Sequence, residues 1–234
     1  MVTGILNWSE IWALLIPLYY IIIQKTEQHQ LKPVKYYIFS ALIINFCIDI
    51  ISNQKDLSLN LPWHNNNLLY NLHSIFRFAF FCWFFISLKP KHHLKIKKII
   101  ALIYFTFLLS YYTFHASIFT FSSLTIGLEL YALLVYCLFY YWQLLKQDLL
   151  YDYKKLPEFW IVTGLGIFIV ISLVIILFYN KISETEALFA IKIWNIHNIA
   201  YILLSIFLAK GFYHARYIQP TKLTVITTDK TEIV

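Results

Sequence analysis

Charge is scarce in this chain. Only 13% of its 234 residues are Asp, Glu, Lys or Arg, and none of them falls between Ile99 and Leu128. A water-soluble domain needs a charged surface, so this scarcity excludes one as the bulk of the chain. Glycine is rarer still, five residues in all, and the one proline inside an apolar run is Pro17. Transporters built on broken helices carry Gly or Pro interruptions in matched halves of the chain; without that pattern or any internal repeat, a rocking transporter is disfavoured. Cys47, Cys82 and Cys137 each lie inside an apolar run, where a free thiol packs as a small hydrophobe, and the CxxC and HExxH spacings are absent. No basic stretch precedes the first apolar segment and no small-residue cleavage site follows it, so Met1 to Glu10 does not read as a signal peptide.

What is present is apolar length. Hydrophobic residues make up 60% of the chain and aromatics 19%. Seven apolar segments can be drawn, at 8–24, 36–52, 68–88, 99–115, 122–145, 158–179 and 187–209. Each has roughly the 17 to 25 residues that cross about 30 Å of hydrocarbon. Pro33, Pro62, Pro90 and Pro157 punctuate the connections. The formal charge of +7 is concentrated in alternate connections and the tail: fifteen Lys and Arg fall on one side, and only Lys55 and Lys181 on the other. By the positive-inside rule the N-terminus is outside and the C-terminus cytoplasmic. The basic residues therefore set topology; no nucleic-acid partner is expected, since no basic face belongs to a soluble module. The predicted fold is all-α, a polytopic seven-helix transmembrane bundle over 1–210 in the inner (plasma) membrane, with 211–234 a disordered cytoplasmic tail. Leu223 to Thr227 is a segment that could pair as a strand with a partner.

Embedded polar residues mark the candidate site, because amides, imidazoles and charges in hydrocarbon are costly unless they face partners or water. The most conspicuous stretch is Lys192 to Asn198. Trp194, His197, Asn198, Tyr201 and Ser205 fall on one helical face, with Lys192 and Asn195 on an adjoining row. Asn45 and Asp49 are four residues apart, as are His73 and Arg77, while Ser122, Thr125 and Glu129 share another stripe. Counted at about 1.5 Å per residue from the outer end, most lie roughly 5 to 15 Å deep. Four helices thus present polar stripes in the outer half, the pattern of a cavity that opens outward. Its candidate residues are His197, Glu129, Asn198, Asn195, Trp194, His73, Arg77, Asp49 and Asn45. The plainer reading of each is an interhelical clasp. Arg77 cannot shed its charge, so a carboxylate is expected beside it, Glu129 first and Asp49 second.

Several chemistries can be weighed on these residues. His73, His197 and a carboxylate supply ligand types that zinc takes, yet Arg77 and Lys192 nearby would repel a cation, and no metal or cofactor is expected. Ser74 and His73 are adjacent on a helix and point about 100° apart, which leaves a cross-helix pair of Ser74 with His197 as the remaining nucleophilic arrangement. Lys192 lies about one turn from the outer end, too shallow for a retinal Schiff base.

Asn67 to Tyr70, Glu129, Glu158 to Gly164 and Ile193 to Asn198 resemble the motifs of a group of uncharacterised bacterial seven-helix inner-membrane proteins. The resemblance covers most of the chain through short motifs. It implies an architecture and no established activity, and it adds weight to Glu129 and His197 as a central pair. At the position of Arg77 the group's pattern is more often acidic, so the chain departs there. The expected function is receptor-like or sensory: an outward cavity binds a small ligand, with membrane lipids around it and a signalling partner at the cytoplasmic face or in the membrane. The alternatives are an intramembrane enzyme on a lipid-soluble substrate and a structural subunit of a membrane complex.

Overall fold

Apolar segments with polar punctuation fold here into helices joined by short connections. A computed structural model describes residues 6–24, 28–54, 65–88, 93–146 and 152–216, and among these no strand occurs. Seven long helices follow one another: α1 (Ser9–Gln24), α2 (Lys32–Ser52), α3 (Asn67–Ser87), α4 (Leu94–Phe114), α5 (Ser123–Leu145), α6 (Pro157–Thr185) and α7 (Ala187–Ala215). Single 3-10 turns at His29–Leu31 and Tyr153–Lys155 precede α2 and α6. Local chemistry sets several starts. Pro157 opens α6, where its missing N–H costs nothing and Glu158 follows in the first turn. Ser122 caps α5 by accepting a hydrogen bond from the Thr125 backbone N–H at 3.3 Å.

Five stretches are long and apolar enough to cross a membrane: His29–Ser52, Asn67–Ser87, Ser123–Leu145, Pro157–Tyr179 and Phe189–Ala215. They give the chain the build of a multi-pass membrane protein. The α1 helix is a shorter apolar helix of 16 residues, and α4 opens on Lys95, Lys97 and Lys98. Large apolar side chains such as Leu102, Ile103 and Leu109 on α4 and Val170, Val174 and Leu177 on α6 are exposed. Facing lipid, such rows carry no penalty.

Where the helix ends differ from the apolar segments by more than one residue, the helices are the longer. Lys32 and Lys35 belong to α2, and Lys95 to Lys98 to α4, because a lysine stem packs along a helix while its amine reaches the interface. The α7 helix runs past residue 210 to Ala215. The tail expected to be disordered, and its candidate strand at Leu223 to Thr227, lie outside the described residues.

Packing closes six helices into a ring. The α1 helix lies between α2 and α7, α2 packs on α3, α3 on α5, α5 on α6 and α6 on α7, while α4 sits outside against α3 and α5. The most extensive interface is that of α6 with α7, where Gly164 leaves no room for a Cβ: an added one would collide with Phe207 Cβ. Gly211 does the same from the other side, at 2.6 Å from Ile161 Cγ1. The half of the ring away from the start of α1 is filled by Phe78, Phe81, Phe84, Phe85 and Phe212, all fully buried. Lys97 fastens this end, donating from Nζ to the Phe85 carbonyl at 2.9 Å near the C-terminus of α3. The half nearer the start of α1 is where the polar residues gather.

Candidate functional site

A mid-helix guanidinium demands a carboxylate, and in this bundle Arg77 finds Glu129 across the α3–α5 interface. Nε donates to Oε1 and Nη2 to Oε2, both at 2.7 Å, and Ser74 Oγ donates to the same Oε2 at 2.6 Å. Glu129 is fully buried and Arg77 nearly so. Two parallel charge-assisted bonds fix both groups in one geometry. The guanidinium carbon also stands 5.2 Å from the centre of the Phe168 ring. Both Glu129 oxygens thus bond to α3, whereas the sequence reading set Glu129 beside His197 as a central pair.

The carboxylate beside His197 is Glu10, in the first turn of α1, with Oε1 3.9 Å from Nε2. Both side chains are buried. Sequence reasoning missed Glu10, because an acid in the first turn of a helix is ordinary dipole compensation and carries no mark of a site. It is drawn inward by the position of α1 between α2 and α7. Asn45 Nδ2 holds the Glu10 carbonyl at 3.2 Å and the Tyr201 hydroxyl at 3.2 Å, so three helices meet on one amide.

Beside Arg77, Glu10 and His197 lies a small chamber of about 30 Å³, room for little more than a water. Glu10, His73, Ser74, Arg77, His197 and Tyr201 supply its polar wall, and Ile126, Leu130 and Ile176 its apolar one. His73 Nε2 and His197 Nδ1 are buried with no hydrogen-bond partner among the described residues. His73 lies parallel to the Tyr37 ring at 6.2 Å.

Beyond the chamber, toward the start of α1, lies a wider vestibule of about 590 Å³. Asn7, Asn66, Asn67 and Asn195 line it together with Ile191, and among the described residues no charged side chain does. Tyr70, Phe121 and Trp194 line both spaces and Tyr179 lines the vestibule. Those four rings form a closed collar, each meeting two others: Tyr70 with Phe121 at 6.2 Å and Trp194 at 5.9 Å, Tyr179 with Phe121 at 5.9 Å and Trp194 at 4.9 Å. Asn71 positions the collar's one loop member. Its Nδ2 donates to the carbonyls of Ile118 and Thr120, both at 2.8 Å, which ties the connection before Phe121 to α3.

Comparison with protein-family models, with curated proteins and with solved structures gave no match. The site is therefore read from its own geometry.

The nine candidate residues divide into four groups. His197, His73 and Arg77 line the chamber, Trp194 lines both spaces, and Asn195 lines the vestibule. Glu129 stands behind the chamber wall, fastened to Arg77. Asn45 and Asn198 are backbone clasps, Asn198 Nδ2 donating to the Leu6 carbonyl at 3.1 Å. Asp49 lies near the end of α2, outside both linings, with one buried oxygen unpartnered among the described residues. Lys192 is exposed and lines neither space. Among the described residues no cluster of three His, Cys, Asp or Glu side chains could hold a metal.

Proposed function

We propose that this chain is a receptor-like protein of the inner (plasma) membrane that takes a small ligand from the side on which its N-terminus lies. The observation that supports it best is one-sidedness. Chamber, collar and vestibule all lie in the half of the bundle nearer the start of α1, while a ligand passing onward would have to displace Phe78, Phe81, Phe84 and Phe85. The described basic side chains Lys35, Lys98, Lys154, Lys155 and Arg216 belong to the opposite end, which by the positive-inside rule is cytoplasmic. In this reading all seven helices span, the ligand enters from outside, and the basic face passes the signal to a separate protein. Nucleophilic chemistry gains no support, since Ser74 donates its hydroxyl to Glu129 and not to an imidazole.

Trp194, standing where the two spaces meet, makes the reading measurable. Of the seven tryptophans the other six can be replaced by phenylalanine, so that emission reports on this ring alone. Purified protein in lipid nanodiscs, titrated with a panel of small amines, amides, carboxylates and sugars, should give a saturable change in emission with at least one class. The His197→Gln variant should keep that response with a shifted midpoint. A flat signal across the panel would contradict the reading.

A further inference from the structure

Charges around the chamber do not cancel, and the imbalance names a ligand class. The Arg77 guanidinium is matched by Glu129, which spends both oxygens on it. That leaves Glu10, a buried carboxylate on the chamber wall whose nearest ionic contact is the His197 imidazole at 3.9 Å, while the Asp49 carboxylate and the Arg77 guanidinium act on it at longer range with opposite signs. A carboxylate held out of water without a full counter-charge is costly, and a cation delivered to it recovers the cost. The entrance suits a cation as well. Tyr70, Phe121, Tyr179 and Trp194 form the closed collar above, and aromatic faces attract ammonium groups, most strongly when water is excluded.

Resting on the receptor-like reading above, we infer that the ligand is a small organic cation whose ammonium head sits in the four-ring collar facing Glu10, with its uncharged body in the vestibule. The two volumes suit this division. The chamber, at about 30 Å³, has room for little more than a water between the head and Glu10, while the vestibule, at about 590 Å³, has room for the body. Vestibule amides from Asn66, Asn67 and Asn195 offer hydrogen bonds but no charge, so selection by charge falls to the collar and to Glu10. His73 Nε2 and His197 Nδ1, unpartnered in the chamber wall among the described residues, are placed to hydrogen-bond a polar group on the head.

The test compares choline with its uncharged isostere, in which a tert-butyl group replaces the trimethylammonium, and with acetate. All three are titrated against the protein whose only tryptophan is Trp194. Choline should bind at least about tenfold more tightly than the isostere, and acetate should give no response. In the Glu10→Gln background the isostere's affinity should stay the same and the tenfold preference should vanish. Tyr179→Leu, which opens the collar without touching Glu10, should weaken choline more than the isostere. Should Glu10→Gln fail to fold, the comparison on the unaltered site decides alone. Equal binding of choline and isostere, or a preference for acetate, would overturn the inference while leaving a ligand site in place. Silence toward these probes and the wider panel alike would remove the receptor reading with it.

Discussion

Replacing Arg77 by methionine is expected to destabilise the bundle by about 3–5 kcal/mol, the loss typical of breaking a buried ion pair from one side. The cost arises on Glu129. It is fully buried, and without the guanidinium its two oxygens keep only the Ser74 hydroxyl. Changing Glu129 alone to glutamine leaves the mirror fault, a guanidinium with no anion. Changing both together removes the two charges at once and keeps the volumes similar, so the double variant should lie well above the sum of the two losses, near the unaltered protein. Unfolding midpoints in a graded denaturing detergent give all four corners of the cycle. A double variant that loses the sum of the single losses would show that the pair is not coupled.

The second large effect is steric. Alanine at Gly164 is expected to cost about 1–3 kcal/mol, as over-packing generally does. The new Cβ would collide with Phe207 Cβ, and because both atoms are fixed by their backbones no rotamer change relieves the contact. The α6 and α7 helices would have to move apart along the most extensive interface in the ring. Gly166, one half-turn away on α6, is the matched control: nothing stands within 4 Å of its added Cβ. Alanine there should be neutral or stabilising by up to about 1 kcal/mol through the lower backbone entropy of the unfolded chain. Equal effects at the two positions, read as melting temperature in detergent, would mean that the helices do not meet at Gly164.

The helices and part of the site are legible in the sequence, for separable reasons. An apolar run of span length has few alternatives to a helix, so all seven segments reappear, shifted at their ends where lysine-bearing turns continue the helix. The Arg77–Glu129 pair is legible because a guanidinium in mid-helix leaves so few ways to be satisfied. Glu10 is not, since its position in a first turn looks like ordinary capping until α1 is placed between α2 and α7. The collar is hidden for a different reason. In a chain with eighteen tyrosines and twenty phenylalanines, nothing local distinguishes Tyr70, Phe121 and Tyr179 from core residues. The asparagines show the limit most clearly. Asn45, Asn71 and Asn198 all read as embedded amides, and each proves to hold a backbone carbonyl on another segment, a choice that only packing makes.

The central claim is that a polar chamber inside the bundle communicates with the outer solution, and a cysteine on the chamber wall measures this directly. Ile126 lines the chamber as an apolar side chain outside the polar network, so Ile126→Cys disturbs none of its hydrogen bonds. With Cys47, Cys82 and Cys137 replaced by alanine, the variant is treated in intact cells with a small membrane-impermeant thiol reagent. Asn65→Cys serves as the reference for the end near the start of α3 and Lys154→Cys for the opposite end; both positions are exposed. The account predicts that the Asn65→Cys variant and, more slowly, the Ile126→Cys variant are labelled in intact cells, whereas the Lys154→Cys variant is labelled only after the cells are opened. Labelling of the Ile126→Cys variant from the Lys154 side, or at neither face, would contradict it.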